Sequence, residues 1–164
     1  MTTSKLLIAA GTALAACTAA APSALAQGGD SPPAGCTGTP SNTWVTVIAE
    51  GLRSTNGLLA VTVYTDDSKR FLVKNGAISV GRSKVQGASS RTCVFLPNTG
   101  VYALVLYHDE NANQKIDRSG LGLPQEGWGF SNNPRTFMGI PAFSSVRLNI
   151  ANPGLVTRIQ MKYP

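Results

Sequence analysis

The sequence predicts an all-β fold, a single antiparallel β-sandwich of about seven strands. Short runs rich in Val, Ile, Leu and Thr recur after residue 43, and they are separated by turn signals such as Asn-Gly and Asn-Pro-Gly. No stretch keeps a 3.6-residue apolar period for long without meeting Gly or Pro. Short strands without intervening helices favour a sandwich over any βαβ architecture.

The predicted strands cover residues 43–49, 58–64, 77–85, 91–96, 102–108, 143–150 and 155–163. The first two flank Asn56-Gly57 and are expected to form a hairpin, because Gly supplies the positive φ of a tight turn. One helical turn is expected around 68–74. The run 102–108 is almost continuously hydrophobic, which predicts a central strand covered on both faces.

Composition limits the chain to one small domain and narrows the classes of partner. The 164 residues are 43% hydrophobic and 13% charged, about half the charged content of an ordinary globular protein. The net charge of +6 permits weak attraction to acidic polymers or headgroups. Basic residues form no run longer than Lys69-Arg70 and do not alternate with aromatic residues, so no nucleic-acid partner is expected.

Residues 1–26 have the pattern of a secretory signal peptide. Lys5 precedes an apolar run over 6–16, and Ala24-Leu25-Ala26 supplies small residues for cleavage. Eleven apolar residues rise only about 16 Å as a helix, too little for a transmembrane span. We therefore expect an extracytoplasmic protein, periplasmic or secreted. The alternative is a lipoprotein cleaved before Cys17, because residues 14–17 resemble a lipobox.

Removal of the signal leaves two cysteines in a compartment that permits disulfides, so Cys36 and Cys93 are predicted to be bridged. The bridge would close a loop of 57 residues (93 − 36), for which chain entropy predicts about 4 kcal/mol of stabilisation. The alternative is two buried free thiols. Residues 27–42 are rich in Gly, Pro, Ser and Thr and are interpreted as a flexible leader, with the β-sandwich domain covering 43–164.

The segment after the central strand is the most chemically dense part of the chain. Candidate Ca²⁺ ligands fall at alternate positions, four through side chains and one through its carbonyl: Asp109, Asn111, Asn113, Lys115 and Asp117. Glu126 could add a carboxylate. An EF-hand would have Gly at the sixth position and Glu at the twelfth, where this chain has Gln114 and Gly120. Asn and Asp side chains that cap their own turns, without any metal, are the alternative.

His108 is the single histidine, so zinc coordination of the usual His/Cys kind is not expected. It is interpreted as a strand-end residue hydrogen-bonded into the loop. A hydrolase acting through His108, Asp109 and nearby carboxylates such as Glu110 and Glu126 is an alternative, although no Gly-x-Ser-x-Gly elbow occurs.

Trp128 and Phe130 alternate with glycines in the segment 127–130. Such aromatics either cover the open end of the sandwich or present a stacking platform to a ligand, and the covering role is favoured here. His108, Trp128 and Phe130 are the candidate ligand-contact residues.

Three spaced motifs resemble a bacterial secreted family catalogued as domain of unknown function 2141. They are Gly-Val-Tyr-Ala at 100–103, His-Asp-Glu-Asn-x-Asn-x-Lys-x-Asp at 108–117, and Gly-x-Pro-x-Glu-Gly-x-Gly-Phe-Ser-Asn at 122–132. The resemblance covers roughly 44–163. It implies an exported single-domain β-sandwich of transthyretin-like or immunoglobulin-like character, and it implies no established activity or catalytic residue.

These observations together predict an exported, non-enzymatic binding or structural module of the cell envelope, stabilised by Ca²⁺. Its partner would be an envelope component, a glycan or a protein. The alternatives are a carbohydrate-binding module that uses the loop aromatics and a hydrolase at the His108-Asp109 loop.

Overall fold

A computed structural model describes residues 31–136 and 139–164. The signal peptide predicted over 1–26, the first residues of the leader and both candidate processing sites lie outside the described residues. The elements in chain order are β1 (Thr43–Glu50), β2 (Leu58–Thr65), β3 (Ser79–Lys84), β4 (Ser89–Leu96), β5 (Gly100–Asp109), β6 (Gly127–Phe130), α1 (Phe143–Val146), β7 (Arg147–Ile150) and β8 (Leu155–Gln160).

The strands form two sheets, which confirms the all-β sandwich. The smaller sheet has the order β4-β1-β8, and the larger has the order β3-β2-β5-β6, with β7 pairing with the first residues of β5. All pairs are antiparallel except β1 with β8, which is parallel. The main core lies between the sheets, where Val45 and Val47 of β1 share one cluster with Leu59 and Val61 of β2.

The predicted hairpin between the first two strands is wrong. β1 pairs with β4 and β8, whereas β2 pairs with β3 and β5, so the connection crosses from one sheet to the other. Gly57 has the positive φ expected of a turn, 70°, but a Cβ there would lie 1.9 Å from the carbonyl oxygen of Asp109. The glycine is therefore required by the close approach of this connection to the end of β5.

Three local expectations also change. Residues 68–74 form turns instead of a helical turn, and the first four residues of the predicted strand 143–150 form α1. The strand β6 was not expected, because glycines occupy two of its four positions. A Cβ at Gly127 would lie 2.3 Å from the Tyr163 ring, and one at Gly129 would lie 2.7 Å from Ile159. The β8 strand and the residues after it therefore exclude side chains at both positions.

The central position predicted for 102–108 is confirmed. β5 pairs with β2 on one side and with β6 and β7 on the other. Its Leu104 and Leu106 face the main core, and Ala103 joins a second buried cluster that includes Phe71 and Phe130. The run is hydrophobic throughout because apolar groups cover both faces.

The disulfide between Cys36 and Cys93 is present. It holds the chain before β1 against β4: the Thr37 N–H donates to the Cys93 carbonyl at 2.9 Å, and the Thr37 carbonyl accepts from the Phe95 N–H at 2.9 Å. The edge of β4 is thereby paired along part of its length, which protects it from pairing with other chains.

Candidate functional site

His108 lies near the end of β5 and is fully buried. Its Nε2 lies 2.8 Å from the Asn56 carbonyl oxygen and its Nδ1 lies 2.7 Å from the Tyr163 hydroxyl. A carbonyl can only accept, so Nε2 carries a proton and donates to Asn56; in the neutral ring, the Tyr163 hydroxyl then donates to Nδ1. The Tyr163 oxygen in turn accepts from the Arg53 N–H at 3.2 Å. Both ring nitrogens are thus occupied by hydrogen bonds that join β5 to the loop after β1 and to the chain end.

Glu110, the second residue after His108, faces a different set of groups. Its carboxylate accepts from the Arg53 guanidinium at 2.5 to 3.2 Å and from the Ser54 hydroxyl at 2.9 Å. The hydrogen bonds from Arg53 hold the pKa of Glu110 below its ordinary value. The same guanidinium lies 4.6 Å from the centroid of the Tyr163 ring, and burial raises the pKa of Tyr163.

Asp109 is fully buried beneath the loop that follows β5. Its Oδ1 accepts from the Asn113 N–H at 3.0 Å, and its Oδ2 accepts from the Gln114 N–H at 2.7 Å. Gln114 has a φ of 64°, the left-handed conformation for which an EF-hand would have Gly. The hydrogen bond to Asp109 stabilises this conformation in a residue that is not Gly.

Glu126 is also buried, and it connects the two ends of the loop. One carboxylate oxygen accepts from the Glu110 N–H at 3.0 Å, and the other accepts from the Asp117 N–H at 3.0 Å. The suggested pair of Glu110 and Glu126 is therefore made of two carboxylates with separate partners, because the Glu110 side chain pairs with Arg53.

Three of the predicted calcium ligands meet at the surface of the loop. The Asp117 carboxylate accepts from the side-chain amides of Asn111, at 2.7 Å, and of Asn113, at 3.0 Å. The amide oxygens of Asn111 and Asn113 accept from the backbone N–H groups of Asn113 and Lys115 at 3.0 and 2.8 Å. These bonds are the Asx-type caps that the sequence offered as the alternative to a metal.

The predicted calcium ligands accordingly lie in two groups, the buried carboxylates of Asp109 and Glu126 and the surface set around Asp117. Over the described ranges 31–136 and 139–164, no group of three or more His, Cys, Asp or Glu side chains could hold a metal ion. Amide and carbonyl ligands are not covered by that observation, so the Ca²⁺ site stays a prediction.

Trp128 and Phe130 project from β6 onto the outer face of the larger sheet, away from the main core. Phe130 is buried, with its ring centroid 6.4 Å from that of Phe71. Trp128 is half-buried and lines a cleft with a cavity of about 350 Å³. The candidate ligand-contact residues are therefore separated: His108 is buried away from the cleft, whereas Trp128 and the buried Phe130 both line it.

The cleft has a floor of outward-facing side chains from β2, β5 and β6. Thr62 pairs with Val105, and Tyr107 pairs with Trp128, so these residues are neighbours across the three strands. Its walls come from the turns after β2, from the loop before β6 and from the segment before α1, with Leu72, Ile116, Leu123 and Ile140. The sequence did not predict this cleft. The near-continuous hydrophobic run of β5 was its one signal, because it required cover on both faces.

A second feature missed from sequence is the role of the residues after β6. The Ser131 hydroxyl donates to the Val146 carbonyl and accepts from the Leu104 N–H at 3.1 Å. The Asn133 side chain accepts from the Gln160 N–H at 2.7 Å and donates to the Arg158 carbonyl at 3.1 Å. The Ser131 side chain thus connects β5 to α1, and the Asn133 side chain forms hydrogen bonds with the backbone of β8.

The architecture and the loop together define a class, a two-sheet β-sandwich with an acidic loop after its central strand and short segments packed on the outside of the larger sheet. The profile of a family described as "Uncharacterized protein conserved in bacteria (DUF2141)" matches residues 47–157, and the chain belongs to this family. Comparison with curated proteins gave no match, and comparison with solved structures gave none. No helix within the described ranges has the length and apolar content needed to cross a membrane.

Proposed function

We propose that this chain is an exported, non-enzymatic β-sandwich module of the cell envelope that acts by binding. One observation carries the choice of binding over catalysis. The groups that could perform acid-base or nucleophilic chemistry are His108, Asp109 and Glu126, and all three are buried. Both ring nitrogens of His108 are hydrogen-bonded to Asn56 and Tyr163. Both oxygens of each carboxylate accept hydrogen bonds from backbone N–H groups of the loop. A general base needs a lone pair within reach of the substrate, and these lone pairs serve the fold.

Export is the part of the proposal that rests on sequence alone. It is supported by the Lys5 and 6–16 pattern, by the Ala24-Leu25-Ala26 triplet and by the disulfide, which forms in oxidising compartments. Intact-mass measurement of the protein from the extracytoplasmic fraction should give a chain that begins near Gln27. A mass that retains residues 1–26 would contradict export by cleavage, and a lipid adduct on Cys17 would select the lipoprotein.

Catalysis is tested directly with a panel of chromogenic esters and glycosides. In the presence of the purified protein, every compound should be hydrolysed at the same rate as in buffer alone. Hydrolysis above that rate that is lost in His108→Gln, with an unchanged melting temperature, would make the hydrolase correct and the proposal wrong.

Ca²⁺ stabilisation of the loop is a second proposal, favoured by the side-chain amides of Asn111 and Asn113, which lie 2.7 and 3.0 Å from the Asp117 carboxylate. Rotation of the two amides would present oxygens to an ion in place of the N–H groups. At a dissociation constant of about 100 μM, millimolar Ca²⁺ would add about 1.4 kcal/mol, or a few degrees of melting temperature. The rise should be absent in Asp117→Ala. Equal melting temperatures in chelator and in Ca²⁺ would leave the self-capped loop as the correct interpretation.

A further inference from the structure

The cleft on the outer face of the larger sheet has the size and shape to receive a small ligand. Its cavity of about 350 Å³ is within the range of small-molecule sites, roughly 300 to 1,000 Å³. At about 30 Å³ for each water-sized group, it has room for about twelve such groups. The floor is formed by the paired strands of the sheet, and it includes Thr62, Val105, Tyr107 and Trp128.

The exposed apolar side chains of the protein gather around the same cleft. Across residues 31–136 and 139–164 the large hydrophobics that remain exposed are Leu72, Val73, Val80, Leu121, Leu123 and Ile140. Three of them line the cleft, and the others are adjacent to lining residues along the chain or across the sheet. A single exposed Leu needs no explanation, but a contiguous apolar patch around a cavity marks an interaction site.

Backbone conformation gives independent support at one wall. Leu72 has a φ of 58°, a left-handed conformation that is unfavourable for a residue with a Cβ. The side chain that this conformation positions lines the cleft while remaining 40% exposed. Strain of this kind concentrates where the surrounding structure holds a group for binding.

Charge at the cleft selects the class of ligand. No Asp or Glu is among the described residues that line the cleft, whereas Arg118 is one of them. The Arg118 side chain is exposed, and its Nη1 donates to the Gly122 carbonyl at 2.8 Å. Arg82 lies beside the cleft, and its guanidinium donates to the hydroxyl of the lining residue Tyr107 at 3.3 Å. An apolar interior with a guanidinium group in its lining complements a molecule with an apolar body and an anionic end.

We infer that the cleft binds the acyl chain of a single-chain anionic amphiphile, a fatty-acid-like carboxylate whose head lies toward Arg118. This names the ligand class of the proposed binding module and rests on that proposed function. The chain volume that the cavity accepts corresponds to about ten to twelve carbons at one water-sized group per methylene. Binding depends on chain length, because each buried methylene adds about fourfold in affinity.

Calorimetric titration of the purified protein with dodecanoate, below its critical micelle concentration, tests the inference. Binding should be saturable with one site, and decanoate, which is two methylenes shorter, should bind about fifteenfold more weakly. Leu123→Asp places a carboxylate on the cleft wall and should weaken dodecanoate at least about tenfold. Leu121→Asp is the matched control, since it is the same change two residues away on a side chain that is 89% exposed and does not line the cleft. Its affinity should equal that of the wild type.

The variant Arg118→Gln separates the contribution of the anionic head of the ligand to affinity from that of its acyl chain. It should weaken dodecanoate several-fold and leave the binding of dodecanol, which has no charge, unchanged. Melting temperatures of the variants establish that each is folded before its titration is compared.

Three results would overturn the inference: no saturable dodecanoate binding, equal losses in Leu123→Asp and Leu121→Asp, or affinity that does not depend on chain length. Retention on anionic vesicles without binding of the monomeric amphiphile would assign the patch to a membrane surface and would also overturn it. These results leave the proposed function in place, because export and hydrolysis are measured separately. Turnover of the ester panel would contradict the proposed function without any reference to dodecanoate.

Discussion

The loop end of the sandwich and the outer face of its larger sheet use their side chains in opposite ways. At the loop end, Asp109 and Glu126 are buried carboxylates, and each oxygen accepts a hydrogen bond from the backbone. On the outer face, the side chains around the cleft are apolar and several remain exposed. The buried carboxylates of the loop thus hold the backbone in place, whereas the cleft offers a mainly apolar surface with Tyr107 and Arg118 in its lining.

The close contact at the loop end predicts the largest effect. Gly57→Ala forces a Cβ into the left-handed φ of 70° and places it 1.9 Å from the Asp109 carbonyl oxygen. The conformation costs about 1–2 kcal/mol and the overlap about 1–3 kcal/mol, so urea denaturation should give a loss of about 3 kcal/mol. Gly120→Ala is the control, because a Cβ there meets nothing within 4 Å. Equal stabilities of the two variants would show that this approach is not tight.

The buried carboxylate comes next. Glu126→Gln keeps the shape but replaces one acceptor by an NH₂ group, so the N–H of Glu110 or of Asp117 loses its partner. A buried unpaired donor costs about 1–3 kcal/mol, and we expect a loss of about 2 kcal/mol by urea denaturation. Glu50→Gln is the matched change at the exposed ion pair with Arg158 and should cost less than about 1 kcal/mol. If both changes cost the same, the carboxylate of Glu126 does not hold the loop.

The sequence was informative about local pattern and poor at contacts between distant segments. The hydrophobic run of β5 and the count of cysteines were enough to predict a central strand and the Cys36–Cys93 bridge. The strand β6 could not be predicted, because Gly127 and Gly129 lack side chains on account of Tyr163 and Ile159, which reach them from the chain end. The hairpin prediction was wrong for the same reason. The absence of a side chain at Gly57 is required by the backbone of Asp109, which lies 52 positions further along the chain.

The candidate site followed the same division. The Asx caps of Asn111 and Asn113 are local and were foreseen as an alternative. The bonds from Glu126 to the opposite ends of the loop, and the cleft formed by three strands and three connections, depend on tertiary structure and leave no local pattern.

A smaller effect concerns pH at the rim of the loop. The pKa of Glu110 is below its ordinary 4.5 in the folded protein because of the hydrogen bonds from Arg53. The unfolded chain therefore binds the proton first as pH falls, so the stabilisation is present above about pH 4.5 and is lost as pH falls through the folded pKa. Because the pair is partly exposed, it contributes less than about 1 kcal/mol. Glu110→Gln should lower stability at pH 7 and flatten the acid limb of the stability curve, and an unchanged slope would contradict the role of this pair.

The smallest effect is expected at the cleft. Leu123→Asp changes a side chain that is 50% exposed, so the free energy of unfolding should change by less than about 0.5 kcal/mol. The same variant should bind dodecanoate at least about tenfold more weakly than the wild type. A loss of stability comparable with that of Glu126→Gln would mean that the cleft wall belongs to the core and that the contrast between the two regions is false.

Backbone amide shifts in an NMR titration with dodecanoate compare the two regions in one measurement. The account predicts that the amides of Thr62, Val105, Tyr107 and Trp128, on the floor of the cleft, shift together along one binding curve. The amides over 109–114, held by Asp109 and Glu126, should keep their positions. Shifts confined to 109–114, with the four floor residues unmoved, would contradict the account by making the loop the binding surface.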